Sequence, residues 1–434
     1  MRELKDDSDK RMLPRLRVIQ VGDIHLVRTA KTERHLDDKD PRFPSGVRNL
    51  MAGSPIKTVF RTLHRLIEQE PIASLLFMGD FAEKGDLPGF EACVRYLAEA
   101  LQIGSGRRLS ALQVGFISGN HDISRDLAAK PGLRTKFLPL QKAMAELGLP
   151  SLPIEQPIWL NTTEGNSRID IALLNSCWGC GAKEFIPEEF RTEISNAINT
   201  AISQGLDERA TTAYYDRQLD TPAFSNNTVQ YLIDAVPKLP GSSLILACAH
   251  HNLLPQHMPR LAPYTELVNS GVVRRALLAL ERPVLYLHGH IHDDPVEIIQ
   301  TPTGGPLVCI SAPEASEGFN VLELVFTQSG LPLTCYLRPW RFDGGVFHER
   351  TRRVIPISGS RRKPSDPSLS AIYQKIVAER DCYWHALVGC AKTVGAPEPD
   401  GATEEALETL VSDQLITIEN YDLDREHWII RSRL

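Results

Sequence analysis

The stretch LRVIQVGDIH, residues 16–25, is an apolar run that ends abruptly in Gly22-Asp23-Ile24-His25. A short apolar run of this kind is typical of a buried strand in a sheet that is covered on both faces. Asp23 and His25 are two residues apart, and on an extended strand that spacing sends both side chains to the same side. The stretch therefore predicts a central strand that delivers a carboxylate and an imidazole to one place.

Other apolar runs end in the same way. Their polar ends are Gly79-Asp80, Gly119-Asn120-His121-Asp122, His250-His251-Asn252 and His288-Gly289-His290-Ile291-His292. In an open α/β sheet, ligands bind just beyond the carboxyl ends of the strands. We therefore expect these five strand ends to converge on one site.

The residue types at these ends indicate a metal centre. Six of the 13 histidines lie between residues 250 and 292, and histidine is the commonest side-chain metal ligand. Asp, Asn and His without cysteine favour hard or borderline divalent ions over soft-metal or iron–sulfur sites. Seven candidate ligands are more than one tetrahedral ion can bind, but they suit two ions about 3.5 to 4 Å apart that share a carboxylate. The seven are Asp23, His25, Asp80, Asn120, His250 or His251, His290 and His292.

Strand-like runs alternate with amphipathic stretches of helical period. The strand-like runs are Leu16–Val21, Leu75–Met78, Val114–Ser118, Ile169–Leu174, Leu244–Ala249, Pro283–Leu287 and Leu307–Ile310. The helical stretches include Pro55–Gln69, Leu87–Leu101, Ala223–Val236 and Val268–Leu280. The alternation predicts an α/β sandwich with helices outside the sheet. The later runs Asn320–Phe326 and Leu331–Leu337 lack intervening helices, so we expect antiparallel strands there.

Composition excludes several classes of protein. The 434 residues are 42% hydrophobic and 24% charged with a net charge of −6, which argues against a disordered chain, a collagen-like repeat and a protein that coats nucleic acid by bulk charge. The first 17 residues show no secretory signal, and no apolar run is long enough to cross a membrane. Eight scattered cysteines do not form a disulfide scaffold. We expect a cytoplasmic protein with reduced thiols and no membrane partner.

The chain divides into two predicted domains. Residues 1–350 form the first, with an insertion at about 178–222 that could act as a cap, together with the polar loop Arg28–Arg48. Residues 351–367 are rich in Ser, Pro and Arg and predict a linker. Residues 368–434, the C-terminal module, predict helices over Ser368–Val388 and Thr403–Asp413 and then two extended runs, Leu415–Glu419 and His427–Ile430, as in a winged-helix-like fold.

The order D-x-H, GD, GNHD, a histidine after a strand and GHxH, from about Leu16 to Trp340, resembles the calcineurin-like metallophosphoesterase superfamily. The variant resembles the branch of cyclic-nucleotide phosphodiesterases and DNA-repair nucleases. This resemblance implies a four-layer α/β/β/α sandwich with mixed sheets, beside the small C-terminal α+β module. It also implies two divalent metal ions, with Mn first and Fe, Zn, Co or Ni as alternatives.

The resemblance implies roles for the seven candidate ligands. Asp23, His25 and His292 would hold the first metal, Asn120, His250 and His290 the second, and Asp80 would bridge them. His250 and His251 are both candidates for one position. The family places the ligand directly after the strand, which favours His250 and leaves His251 to line the substrate pocket.

The resemblance also implies a catalytic group. His121 would assist the leaving group while a metal-bound hydroxide attacks phosphorus. Related enzymes orient this histidine with a carboxylate and grip the phosphate with an arginine. Glu83 and Lys84 stand at those positions, although Lys cannot form the bidentate fork of Arg. Arg125 could contact a substrate phosphate, and Asp122 is interpreted as support for its neighbours.

The sequence has one weaker feature. Cys177-Trp178-Gly179-Cys180 has the C-x-x-C spacing of redox and zinc sites. It has no second C-x-x-C and follows a strand, so we interpret it as chance, with a thiol pair at the pocket rim as the alternative.

The predicted function is hydrolysis of a phosphodiester of nucleotide type. The alternatives are a DNA or RNA nuclease with a partner protein, and a metal-scaffold adaptor that binds a partner through the C-terminal module.

Overall fold

A computed structural model gives the architecture of the chain. It describes residues 13–26, 55–101 except 84 and 86, 112–128, 132–181, 192, 193, 196, 200, 221–254, 267–293 except 281, 295–299, 305–357 except 328, and 367–433 except 422. The loop Arg28–Arg48, Lys84 and most of the insertion at 178–222 lie outside the described residues. The predicted cap is therefore still a prediction.

The described chain contains 16 strands and nine α-helices. The strands are β1 (Arg15–Val21), β2 (Ser74–Phe77), β3 (Gln113–Phe116), β4 (Ile158–Glu164), β5 (Ser167–Leu173), β6 (Leu244–Cys248), β7 (Val284–His288), β8 (Val296–Ile299), β9 (Leu307–Ser311), β10 (Gly318–Phe326), β11 (Pro332–Asp343), β12 (Val346–Glu349), β13 (Arg353–Pro356), β14 (Cys382–Tyr383), β15 (Ile416–Glu419) and β16 (Ile429–Ser432). The helices are α1 (Pro55–Gln69), α2 (Leu87–Leu101), α3 (Arg125–Ala128), α4 (Leu138–Glu146), α5 (Asn226–Ala235), α6 (Ser270–Leu278), α7 (Pro367–Ala378), α8 (Trp384–Thr393) and α9 (Pro399–Ser412).

Two large sheets carry the five polar strand ends. The first runs in the order β12-β11-β10-β1-β2-β3, with β13 paired to β11. In it, β1, β2 and β3 are parallel and β10 is antiparallel to β1. The second runs β4-β5-β6-β7-β9-β8, with four parallel strands between two antiparallel edge strands. The polar residues follow five strands, each of which is parallel to a neighbour: β1, β2, β3, β6 and β7. Parallel strands end at the same edge of a sheet, so these residues lie at the carboxyl edges of the two sheets.

The sheets pack face to face, with helices on their outer faces. Val18 of β1 and Leu246 of β6 lie in one core between the sheets. Ile19 of β1 faces the opposite core, which includes Phe60 of α1. Tyr286 of β7 lies in a third core, formed with α5 and α6. The predicted four-layer α/β/β/α sandwich with mixed sheets is confirmed.

Local chemistry explains where several helices begin. Pro88 occupies the first turn of α2, where its missing N–H costs nothing. Ser225 caps α5, since its hydroxyl accepts a hydrogen bond of 2.9 Å from the Thr228 backbone N–H.

Within the described residues, no helix is both long and apolar enough to cross a bilayer.

The C-terminal residues form a separate small sheet, β14-β16-β15, covered by α7, α8 and α9. The single helix predicted over Ser368–Val388 is wrong, because Cys382 and Tyr383 pair with β16 and divide it into α7 and α8. The linker predicted at 351–367 contains β13, which extends the first sheet. Val354 of β13 is buried in the core of the C-terminal module and donates its N–H to the Tyr421 hydroxyl at 3.1 Å. The division into domains is still a prediction.

Candidate metal centre

The polar strand ends have an unusual backbone. Of the six described non-glycine residues with positive φ, four are His25 (48°), Asp80 (51°), His290 (69°) and His292 (55°). Left-handed backbone is unfavourable for residues with a Cβ and is concentrated at functional sites, where the surrounding structure imposes it. The backbone of these four residues is therefore strained, and the surrounding structure holds it in the conformation that orients their side chains.

Asp23, His25 and His292 form the first group of ligand atoms, all within 4.8 Å of one another. His292 Nε2 lies 3.0 Å from Asp23 Oδ2 and 3.3 Å from His25 Nε2. The backbone N–H of His290 donates to Asp23 Oδ2 at 2.9 Å and so fixes the carboxylate. The hydrogen bond with Asp23 raises the pKa of His292, whereas burial lowers the pKa of His25.

His250 stands at the centre of the second group. Its Nδ1 lies 2.7 Å from the Met78 carbonyl oxygen, so Nδ1 carries the proton and donates it there. Its Nε2 lies 3.0 Å from Asn120 Oδ1 and 3.3 Å from Asp80 Oδ2. A backbone carbonyl that fixes the tautomer of a histidine and leaves the other nitrogen free is typical of metal-ligating imidazoles. The His290 ring lies 5.0 Å from the His250 ring.

Asp80 lies between the two groups. Ligand atoms of Asp80, His25 and His121 lie within 4.8 Å of one another. The same holds for ligand atoms of Asp80, Asp23 and His250. Burial opposes its ionisation, but the imidazoles of His250, His121 and His25 outweigh that effect and hold the pKa of Asp80 well below its usual value. The carboxylate is therefore placed to contact ligands of both groups.

Asp122 supports the loops rather than facing the cluster. Its buried carboxylate accepts hydrogen bonds from the backbone N–H groups of Phe81 at 2.8 Å, Ala82 at 3.1 Å and Gly119 at 2.9 Å. These bonds tie the loop after β2 to the loop after β3. The arrangement agrees with the supporting role interpreted from the sequence.

His121 is held differently from the expectation. Its Nδ1 lies 2.8 Å from the backbone carbonyl oxygen of Glu83, whereas the Glu83 side chain is exposed. The resemblance implied that a carboxylate orients this histidine, and the structure corrects that to a carbonyl. Arg125 donates to the Asn120 carbonyl oxygen at 2.9 Å, a contact that positions a candidate ligand. Lys84 lies outside the described residues.

His251 is fully buried beside the centre. Its ring lies 4.4 Å from that of His290, and its Nδ1 lies 2.9 Å from the Ser176 hydroxyl. This contact between Ser176 and His251 was not predicted from the sequence. Ser176 lies in the segment that follows β5, directly before the C-x-x-C motif.

One protein family matches part of the chain. Residues 16–179 match the family model of the calcineurin-like phosphoesterases. No curated protein shows significant similarity to the chain. Similar solved structures include a dimetal phosphatase from Danio rerio, at 12% identity and TM-score 0.41, covering 79% of this chain and 99% of that one.

Two further similar structures are longer proteins. One is a putative 5'-nucleotidase from Staphylococcus aureus, at 11% identity and TM-score 0.38, covering 82% of this chain and 56% of that one. The other is a purple acid phosphatase from yellow lupin, at 11% identity and TM-score 0.42, covering 78% of this chain and 53% of that one. This chain thus spans just over half the length of these two. The family match shows a calcineurin-like phosphoesterase domain over residues 16–179 of the chain.

Proposed function

We propose that this protein is a dinuclear-metal phosphodiesterase that acts on small nucleotide-type substrates. The observation that carries the proposal is the convergence of Asp23, Asp80, Asn120, His250 and His292 from separate strand ends onto one cluster of ligand atoms. Side chains that lie far apart in sequence meet there with oxygen and nitrogen atoms only. Such a donor set suits hard and borderline divalent ions.

The residues fit a pair of cations. Asp23 Oδ1 is buried and, within the described part of the chain, accepts no hydrogen bond. Burial opposes protonation of His250, yet Asp80 and Asp23 raise its pKa, which shows a negative potential at the cluster. A divalent cation would neutralise that potential and satisfy the Asp23 oxygen.

We assign Asp23, His25 and His292 to one ion, Asn120, His250 and His290 to the other, and Asp80 to both. His250 is preferred over His251 because its Nε2 faces Asp80 and Asn120. Divalent ions held there would supply Lewis acidity, which activates water and offsets charge on the phosphoryl oxygens. We propose Mn²⁺ as the native metal.

His121 is the proposed proton donor. Its Nδ1–H donates to the Glu83 carbonyl, so Nε2 is the atom that can hold a proton for the departing oxygen. Its ring lies 5.0 Å from the His25 ring, at the edge of the cluster. A proton from Nε2 would neutralise the leaving alkoxide. Arg125 would act indirectly, by holding the backbone of Asn120.

The charge distribution supports a small substrate rather than duplex DNA. The C-terminal module, residues 368–434, holds six Lys and Arg against twelve Asp and Glu, and so carries the whole net charge of −6. A surface that grips a nucleic-acid backbone is normally basic. The acidic module therefore favours the nucleotide phosphodiesterase over the nuclease, and it suits a protein partner better than DNA.

A substrate panel tests the proposal. Purified protein with added Mn²⁺ is assayed against aryl phosphomonoesters, aryl phosphodiesters, cyclic nucleotides, and single- and double-stranded DNA. We expect the highest kcat/KM on a diester of nucleotide type, and we expect chelation to abolish it. Preferred hydrolysis of a monoester would refute the diester assignment, and preferred cleavage of DNA would establish the nuclease instead.

A further inference from the structure

The segment after β5 forms a tight, buried thiol turn. Cys177 and Cys180 are both fully buried, and the Cys180 backbone N–H donates to the Cys177 carbonyl oxygen at 3.1 Å. Gly181 follows with a φ of +70°, and a Cβ there would lie 2.7 Å from the Ala128 Cβ. The glycine thus lets the chain turn away directly after the second cysteine. A C-x-x-C turn of this kind presents two sulfur atoms on one side, as structural zinc sites require.

A third ligand reaches the turn from a distant strand. One ligand atom each from Cys177, Cys180 and His251 lie within 4.8 Å of one another. His251 Nδ1 is 4.0 Å from Cys177 Sγ, and the imidazole is fully buried. The sequence motif did not reveal this third ligand, because His251 lies 71 residues beyond Cys180.

A buried lysine supports the backbone of the turn. Lys136 is 1% exposed, and its Nζ donates to the carbonyl oxygens of Trp178 at 2.7 Å and Cys180 at 2.5 Å. It therefore holds two residues of the turn in place.

We propose that Cys177, Cys180 and His251 form a third metal site that takes a thiophilic divalent ion of the zinc type. On binding, two thiol protons leave to solvent, two metal–sulfur bonds and one metal–nitrogen bond form, and no oxidant is needed. The Cys177 thiol gives up its contact with the Ser118 carbonyl at 3.2 Å, and His251 Nδ1 gives up Ser176. Three protein ligands leave one coordination position open.

The site stands apart from the proposed dinuclear centre by its ligand chemistry. Thiolates select softer ions, whereas the dinuclear cluster offers only carboxylate, amide and imidazole ligands. The bound ion would link the segment after β5 to the loop after β6 that carries His250. It would thereby stiffen one wall of the phosphoesterase site.

Cobalt titration tests the proposal on the full-length, reduced protein. Co²⁺ bound to thiolates gives charge-transfer absorption in the near ultraviolet, which oxygen and imidazole ligands do not give. We expect this band to appear as Co²⁺ is added, up to three equivalents per chain because the dinuclear centre also takes Co²⁺, and to disappear on addition of Zn²⁺. We expect Cys177→Ser and Cys180→Ser each to lose most of it, and Cys93→Ser, a buried cysteine in α2, to keep it.

Each other outcome overturns the proposal. A wild-type protein without the band, or a band that survives in both variants, refutes the site. If the variants do not fold, slow alkylation of the native wild-type protein decides, measured with and without Zn²⁺. We expect Zn²⁺ to slow the labelling of Cys177 and Cys180 relative to the metal-free protein, and equal labelling rates would refute the site. Mn²⁺-dependent hydrolysis is measured in parallel, so that loss of this site is distinguished from failure of the proposed function.

Discussion

Gly119 leaves room for the Asp80 carboxylate, so Gly119→Ala should disable the proposed metal centre without changing any of its ligands. A Cβ at position 119 would lie 2.0 Å from Asp80 Oδ1 and 2.3 Å from the Asp80 backbone nitrogen. Ordinary contact begins at 3.4 Å, so the carboxylate must retreat by about 1.4 Å.

Asp80 cannot retreat alone. Its carbonyl oxygen accepts hydrogen bonds from the backbone N–H groups of Ile24 at 3.0 Å and His25 at 2.9 Å. A shift of Asp80 therefore also displaces His25, and with it ligands of both proposed ions. A misplacement of this size costs about 100-fold in rate, or about 2.7 kcal/mol of transition-state stabilisation. Overpacking would reduce the free energy of unfolding by about 1–3 kcal/mol.

The assay combines metal content, kcat/KM on an aryl phosphodiester and urea unfolding. Gly241→Ala is the matched control, because no heavy atom lies within 4 Å of a Cβ at that position. We expect the control to match wild type. A Gly119→Ala protein that keeps both metals and full turnover would show that the tight approach of the two loops is irrelevant to the site.

Three further predictions concern other parts of the molecule. His121→Ala should retain its metals yet lose about 10²- to 10⁴-fold in kcat, because it removes a proton donor and no ligand; unchanged turnover would remove His121 from the mechanism. Arg338 forms ion pairs with Glu70 and Glu349 at 2.7 and 2.8 Å, so Arg338→Met should lower the free energy of unfolding by about 1–3 kcal/mol because both carboxylates lose a hydrogen-bond donor. The hydrogen bond with Arg338 lowers the pKa of Glu70, so this stabilisation is present above the ordinary pKa of Glu and is lost as pH falls. Equal free energies of unfolding for wild type and Arg338→Met at neutral pH would contradict the prediction. Deletion of Ser368–Leu434 should leave hydrolysis of an aryl diester largely intact, and a folded but inert product would contradict the two-domain prediction.

Buried strands were predictable because most of their side chains are apolar. β6, for example, is buried along its whole length, and its sequence LILAC is continuous with the predicted run. β4 and β8 were missed because they are edge strands that alternate or expose polar residues. The same reason explains Cys382–Tyr383, a two-residue strand that exists only through its pairing with β16. Tertiary pairing decides such short elements.

The convergence of the candidate ligands followed from their place at strand ends, but their fine geometry did not. Positive φ at Asp80 and His290 depends on the surrounding loops and leaves no mark in the sequence. The partner of His121 is a main-chain carbonyl, which any residue at position 83 could supply. The approach of His251 to Cys177 joins two strands of the second sheet, and no local pattern could reveal it.

Anomalous diffraction from crystals grown with Mn²⁺ measures the proposed dinuclear centre directly. We expect two manganese peaks about 3.5 to 4 Å apart, with the Asp80 carboxylate between them. A single peak, or peaks that lie away from Asp80, Asn120 and His292, would contradict it.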